Sequence, residues 1–178
     1  EREPTSLLGL EEELSAAIAE QVHLRVLPDP LGRLGRRQSQ NAEAYDAYLR
    51  GRYFEKRRTP ENNARAIEQY ERAIALDPSY ALAWSHLSMT YTGSTQNGDA
   101  RPLDVWPRAR EAAAQAIRAN PQLSEAQLAV GYVNWLMDWD WRAAETAFRR
   151  AVDLDPSNAA AHRTLGHALS QLRRQDEA

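Results

Sequence analysis

The sequence predicts an all-α protein built as a repeat array of helix pairs. Three stretches share one arrangement, in which an apolar run of helical period stops at Pro78, Pro121 and Pro156. An alanine stands five positions before each of these prolines. The composition also favours helices, since the 178 residues include only 8 Gly and 9 Pro. Each unit of such an array buries its apolar face on its neighbours, so no single large core is needed.

Composition excludes several classes of site. Without Cys the chain has no disulfide, no thiolate metal site and no thiol nucleophile. A net charge of −3 gives no overall attraction to nucleic acid or to an anionic membrane. No apolar run approaches the roughly 20 residues of a membrane span, and no secretory leader opens the sequence. We therefore expect a cytoplasmic location. Because the sequence begins at Glu1 and ends in mid-pattern, we expect it to be a piece of a longer protein.

The first part of the sequence predicts an amphipathic helix followed by a linker. Residues 6–26 carry an apolar stripe at helical spacing, with most of their glutamates elsewhere. The next stretch, LPDPLGRLGRRQSQN, combines two Pro, two Gly and three Arg without an apolar period. We therefore expect a helix within 1–27, a linker over 28–41 and a repeat array over 42–178.

From Ala42 onward, helices are predicted to alternate with short breaks. The residue before a proline is pushed out of helical geometry, so each Asp-Pro or Asn-Pro step ends a helix. Helices this close along the chain must pair antiparallel. The expected helices cover about 42–57, 62–76, 79–92, 104–119, 122–137, 141–154 and 157–172, with the start of another at 175.

The units resemble the tetratricopeptide repeat (TPR), which has small and aromatic residues at fixed places on its two helices. A small side chain lets two helix backbones approach, and an aromatic ring fills the space beside them. In the second unit Ser88 replaces the usual Gly, and Ala113 stands where an aromatic is usual. The resemblance implies a right-handed superhelix of units at about 42–78, 79–121, 122–156 and, in part, 157–178. The matching residues are Gly51, Phe54, Ala66, Tyr70, Ala73, Trp84, Leu87, Tyr91, Ala109, Ala116, Gly131, Ala144, Phe148, Ala151, Leu165 and Gly166, with the three prolines.

The second unit carries an insertion. Successive prolines are 43 and then 35 residues apart, against a usual period of about 34. The extra residues lie between Tyr91 and Ala109 and are polar and rich in turn formers. Three apolar residues at their end are expected to pin the insertion to the array: Leu103, Val105 and Trp106.

The resemblance also implies a concave groove, lined by the first helix of each pair, that binds an extended or helical peptide. Rigid aromatics offer contact area at small entropic cost, and Arg pairs with carboxylates. The alternative is that several of these side chains merely pack between adjacent units. The full set of Lys and Asn by which chaperone-binding relatives hold a terminal carboxylate is missing. The expected lining is Tyr45, Tyr48, Arg52, Ser85, Met89, Leu128, Tyr132, Trp135, Arg163 and His167.

Three longer stretches are similar to the repeat region of one group of bacterial signalling proteins: AYDAYLRGRY, then RTPE, and later GYVNWLMDWDWRAAETAFRRAV. In that group the repeats follow a TolB-like or nucleotide-cyclase segment. The same chain carries a winged-helix DNA-binding domain, a class III adenylyl cyclase domain or a protein kinase domain. The resemblance implies a scaffold that regulates such an output domain, with residues 6–26 as the last helix of the TolB-like segment.

The sequence predicts no catalytic, cofactor or metal site. His162 and His167 are five apart, which turns them by about 140° on a helix instead of stacking them as a metal pair. There is no Gly-rich phosphate loop and no Gly-x-Ser-x-Gly. We therefore expect a chain that is not itself an enzyme and needs no cofactor, although the parent protein may be a cyclase or a kinase.

Two further hypotheses concern partners. A nucleic-acid-binding array would use the basic clusters, although acidic neighbours dilute them. Self-association would use the N-terminal helix or the C-terminal apolar stripe of Leu165, Leu169 and Leu172, which the end of the sequence should leave uncovered. The basic residues concerned are Arg33, Arg36, Arg37, Lys56, Arg57 and Arg58.

Overall fold

The computed structural model describes residues 39–172, which form seven α-helices and, within that range, no strand. The predicted N-terminal helix, the linker up to residue 38 and the helix start at 175 lie outside the described residues. The helices are α1 (Ala42–Glu55), α2 (Pro60–Leu76), α3 (Ala81–Gln96), α4 (Pro102–Ala119), α5 (Ser124–Leu136), α6 (Trp141–Leu154) and α7 (Ala159–Gln171). None of these helices is long and apolar enough to cross a bilayer.

The helices pack as consecutive pairs, α1 with α2, α3 with α4 and α5 with α6, and α7 packs on α6. Between pairs, α2 contacts α3, α4 contacts α5, and α3 also contacts α5. The first helices of the pairs therefore follow one another on one side of the array. This is the all-α array of helix pairs that the sequence predicts.

The Asp-Pro and Asn-Pro steps end helices as predicted, but the next helix begins later than expected. Asp77 is the C-terminal cap of α2, and its carboxylate accepts from the backbone N–H of Ser79 at 3.0 Å. Pro78 thus lies in a turn held by this side chain, and α3 begins only at Ala81. Asp155 accepts from Ser157 in the same way before α7. The proline belongs to the turn because the acidic side chain before it accepts from the backbone N–H of the serine after it.

Helix α3 runs four residues beyond the expected end at 92, through a polar stretch. The hydroxyls of Thr92 and Ser94 donate to the carbonyls of Ser88 and Tyr91, at 2.9 and 2.7 Å. Both side chains are buried. Because its hydroxyls find acceptors inside the helix, this stretch continues as a helix where composition favoured a turn.

Glycines face aromatic rings where the first and second helices of a pair meet. A Cβ on Gly51 would lie 2.5 Å from Cε1 of Tyr70, and one on Gly131 would overlap the ring of Phe148. Both rings are fully buried. The predicted role of these glycines in the close approach of α1 to α2 and of α5 to α6 is thus confirmed.

The middle pair uses a different combination of side chains at the same places. Ser88 is fully buried, and its hydroxyl donates to the carbonyl of Ala109 at 2.8 Å. Ala113, where the other pairs have a ring, is buried as well. A larger residue on α3 therefore accompanies a smaller one on α4, and a hydrogen bond ties the two helices together.

Substitution of Gly131 by Ala is expected to destabilise the protein by about 1–3 kcal/mol, because the added methyl must displace a fully buried ring. The matched control is Gly93→Ala on α3, where nothing lies within 4 Å of the new Cβ. Its expected effect is a gain of up to about 1 kcal/mol from helix propensity. Urea unfolding followed by circular dichroism measures both. A stabilised Gly131→Ala variant would contradict the close-packed junction.

The inserted segment is only partly pinned to the array. Val105 and Trp106 are half-buried and pack against the core, as predicted. Leu103 is 84% exposed, so the prediction for this residue is wrong. It lies in the first turn of α4, within a stretch, residues 96–104, that is exposed or half-exposed throughout.

The C-terminal apolar stripe is also more covered than expected. Leu169 is fully buried, whereas Leu165 and Leu172 are half-buried. Helix α7 packs on α6 and touches α5, which accounts for the partial burial of its inner face. The expectation that the end of the sequence leaves Leu169 uncovered is therefore wrong.

Candidate functional site: an inner groove

A cavity of about 450 Å³ opens on the side of the array that carries the first helices. We call it the inner groove. Its walls come mainly from α1, α3, α5 and α7, with one residue of α2. It is lined by the cations Arg52, Lys56, Arg58 and Arg163, the carboxylates Glu55 and Glu125, the amides Asn63, Gln96, Asn97 and Asn158, and by His86, Met89, Thr90, Thr92, Gly93, Leu128, Tyr132 and Ala160.

Half of the predicted groove residues line this cavity. They are Arg52, Met89, Leu128, Tyr132 and Arg163, which come from all four first helices. The structure therefore brings together side chains that are more than 100 residues apart in the sequence.

The other five predicted groove residues lie elsewhere. Ser85 is fully buried and donates to the carbonyl of Ala81 at 2.7 Å. Tyr48 and Trp135 are buried among core side chains, and Tyr45 is half-buried against the core. His167 is exposed on α7 but does not line the cavity. For the buried aromatics, the structure corresponds to the alternative in which they pack between helices.

A buried polar cluster joins α1, α2 and α3 at the wall of the groove, with the Glu55 carboxylate at its centre. This carboxylate accepts from the Tyr70 hydroxyl at 2.8 Å. It also pairs with the Nε of Arg52 and the Nδ1 of His86, each at 3.2 Å. Only 25% of the Glu55 side chain and 7% of the His86 side chain are exposed. The cluster thus ties the second unit to the first by charged and polar groups.

The imidazole of His86 bridges Glu55 and Arg52. Its Nδ1 lies 3.2 Å from the Glu55 carboxylate, and its Nε2 lies 2.5 Å from an Nη1 of Arg52. His86 thus holds the Arg52 guanidinium at the groove wall.

The surroundings shift the pKa of two groups in this cluster. Burial alone would raise the pKa of the Glu55 carboxyl, but His86, Arg52 and the Tyr70 hydroxyl outweigh burial and lower it to about 2. Burial raises the pKa of the Tyr48 phenol to about 12. Glu55 is thus ionised and Tyr48 neutral across the physiological range.

Sequence reasoning did not find this cluster. Gly51 and Ser88 occupy equivalent places in the first two units, so Met89, and not His86, is the counterpart of Arg52. The contact between Arg52 and His86 therefore joins non-equivalent places on neighbouring first helices and has no repeat-period signal. His86 has no partner at a local helical spacing, and for that reason it seemed unremarkable in the sequence.

The exposed cations of the groove have no ion-pair partner among residues 39–172. They are Lys56, Arg58 and Arg163. The amide of Asn63 instead donates to Asp99 at 2.5 Å, and that of Asn158 donates to Ser124 at 3.0 Å. These two amides serve the fold, so the groups left for a ligand are mainly positive charges.

The basic cluster of the first unit is divided between two surfaces. Lys56 and Arg58 line the groove, whereas Arg57 lies over the ring of Tyr53, 3.9 Å from its centroid, and does not line it. The three arginines of the linker lie outside the described residues. A continuous phosphate-binding surface would need these cations side by side.

The histidines of α7 have no metal-site geometry. The Nε2 of His162 lies 2.9 Å from the carbonyl of Pro156 and donates to it. Within residues 39–172, no group of three His, Asp or Glu side chains is arranged to hold a metal ion.

Comparisons with known proteins identify the fold. The sequence matches no family model and no curated protein. Among solved structures, it is similar to the Sgt2 TPR domain of Aspergillus fumigatus, with a TM-score of 0.58 and 19% identity over 77% of this chain and 83% of that one. For the first TPR of Spaghetti (RPAP3), bound to the HSP90 peptide SRMEEVD, the TM-score is 0.56 and the identity 17%, over 75% of this chain and 96% of that one. For MamA 41-end from Desulfovibrio magneticus RS-1, the TM-score is 0.53 and the identity 18%, over 94% of this chain and 88% of that one. At these identities the likeness shows the fold, which is the TPR-like helical solenoid.

Proposed function

We propose that this TPR-fold chain is a protein–protein interaction module that holds a peptide in the inner groove. The observation that carries the proposal is the cavity of about 450 Å³ on the side of the first helices. Its half-buried side chains Met89 and Tyr132 lie among exposed cations, whereas Leu128 is fully buried. Such a surface suits a peptide that offers both apolar side chains and carboxylates. The peptide-bound state of the RPAP3 domain supports this use of the fold.

The wider setting is part of the same proposal. The module regulates an output domain of a larger bacterial signalling or transcription-regulatory protein in the cytoplasm, and the chemistry of that protein resides in the output domain. The support for this setting is the likeness of three sequence stretches to the repeat region of such proteins. Peptide binding is preferred to nucleic-acid binding because the basic cluster of the first unit is divided between two surfaces.

The test uses peptides selected from a random display library against the chain, with affinities measured by fluorescence polarisation. In the double variant Lys56→Glu with Arg163→Glu, the selected peptides are expected to bind about tenfold more weakly, since charge-assisted contacts to their carboxylates are lost. The matched control is Arg72→Glu with Arg142→Glu, which changes the net charge equally at exposed positions outside the groove. Equal affinities for both double variants, or a failure to select any peptide, would contradict the proposal.

A further inference from the structure

The inner groove offers two kinds of contact that its own walls leave unused. Lys56 and Arg58 extend from the end of α1 and the turn after it, and Arg163 extends from α7. Among residues 39–172 none of the three has an ion-pair partner. Between these two ends of the groove lie Met89 and Tyr132, which are both half-buried. An occupant with an apolar face and several carboxylates would complement both.

One segment of the same chain has this composition. Residues 6–26 include four Glu and one Arg, so their net charge is −4 + 1 = −3. The same residues carry a helical stripe of Leu, Ile, Val and Ala. Amphipathic helices bind grooves through apolar residues at such spacings. The segment therefore matches the groove in both its charge and its apolar pattern.

The length of the segment also fits. A helix of 21 residues, the span of residues 6–26, is about 31 Å long. The groove crosses four first helices, and three spacings of about 10 Å make about 30 Å. One helix of this length can therefore reach from the cations beside α1 to the cation on α7.

The connection between the segment and the groove is long enough. The side chain of Ser39 bonds to Asp77 at 2.5 Å and accepts from the N–H of Asn41, which fixes the chain where it enters α1. Residues 27–38 can span up to about 40 Å, whereas α1, with 14 residues, is about 21 Å long. A linker of this kind keeps the segment near the groove at an effective concentration of about a millimolar.

We infer that the occupant of the inner groove is the chain's own N-terminal segment, residues 6–26, which competes there with external peptides. The inference rests on the proposed function, because it needs the groove to be a peptide site. Docking places the apolar stripe on Met89 and Tyr132, and the carboxylates near Lys56, Arg58 and Arg163. An external partner must then displace the segment to bind.

The absence of Cys from the chain allows a direct experiment on the full chain. A nitroxide is attached to Ala16→Cys, on the side of the segment away from the apolar stripe. In the docked segment this side lies about one helix diameter from the surface of the groove. Paramagnetic broadening is measured by NMR. The expected result is strong broadening for Met89 and Tyr132 and none for Arg150 on the outer helix α6. Absent or uniform broadening would overturn the inference.

A charge exchange separates specific docking from loss of structure. Lys56→Glu with Arg58→Glu and Arg163→Glu is expected to abolish the broadening. Adding Glu11→Lys, Glu13→Lys and Glu20→Lys is expected to restore it, with circular dichroism verifying the helices in each variant. Broadening that survives the first set, or is not restored by the second, would contradict the proposed contacts.

Two further measurements distinguish the remaining outcomes. Contacts between copies are measured by mixing nitroxide-labelled chain with chain that is isotopically enriched but carries no nitroxide. Broadening of the enriched chain would show that a second copy occupies the groove and would overturn the inference. In the variant Glu11→Lys with Glu13→Lys and Glu20→Lys, library-selected peptides are expected to bind about tenfold more tightly, because the tethered competitor is released. Unchanged peptide affinity would overturn the inference while leaving the proposed function intact; failure of all peptides to bind would remove both.

Discussion

Replacement of Phe148 by Ala is expected to lower the free energy of unfolding by about 3–5 kcal/mol. The ring is fully buried beneath Gly131. It also lies edge-on to Tyr132 and Trp135, with centroid distances of 5.7 and 5.9 Å. Gly131 has no side chain that could move into the space left by the ring, so a cavity persists. Urea denaturation followed by circular dichroism measures the loss.

Phe54→Ala is the matched control for this substitution. Phe54 is only half-buried, beside Tyr53 and the guanidinium of Arg65. Its removal takes less apolar surface out of the protein interior, so we expect a clearly smaller loss. Equal losses for the two variants would show that the space between α5 and α6 collapses when the ring is removed, against the packing described here.

Replacement of Glu55 by Gln is expected to cost about 3 kcal/mol at neutral pH, because the pKa of this carboxyl falls from 4.5 to about 2 on folding. The unfolded state binds more protons between these values, so the ionised carboxylate stabilises the fold above about pH 4.5. The wild-type protein loses this contribution as the pH falls towards 2. The Gln variant has no such contribution to lose, so the two stabilities should converge in acid.

Urea midpoints measured at intervals from pH 7 to pH 2 test this prediction. Glu68→Gln removes an exposed carboxylate of α2 and is the matched control; its expected effect is within about 0.5 kcal/mol. A constant difference between wild type and Glu55→Gln over the whole pH range would contradict the assignment of a depressed pKa to Glu55.

The helices were predictable because their signals are local. An Asp-Pro step ends a helix through contacts within a few residues, and the apolar period is visible in a single window. The C-terminal end of α3 escaped prediction because the hydroxyls of Thr92 and Ser94 find acceptors inside the helix. Leu169 was misjudged because its burial depends on the tertiary packing of α7 and is not visible in a local window.

The groove was predictable in outline only. The repeat register located Arg52, Met89, Leu128, Tyr132 and Arg163 among the residues that line the cavity. It could not separate them from Tyr48 and Trp135, since the depth of a side chain depends on how each helix is rotated against its neighbours. That rotation arises from packing between units and has no local signal.

The sequence by itself determined the repeat: which residues are small, which are aromatic and where helices end are all set by short-range chemistry and by a period of about 34 residues. Only the tertiary structure decided which side chains remain available. It engaged Asn63 and Asn158 in the fold, enclosed Glu55 with His86 and Arg52, and left Lys56, Arg58 and Arg163 open in the groove. The reason is that the groups within hydrogen-bonding distance on the neighbouring helix decide whether a polar side chain is bonded within the fold or remains available to a ligand.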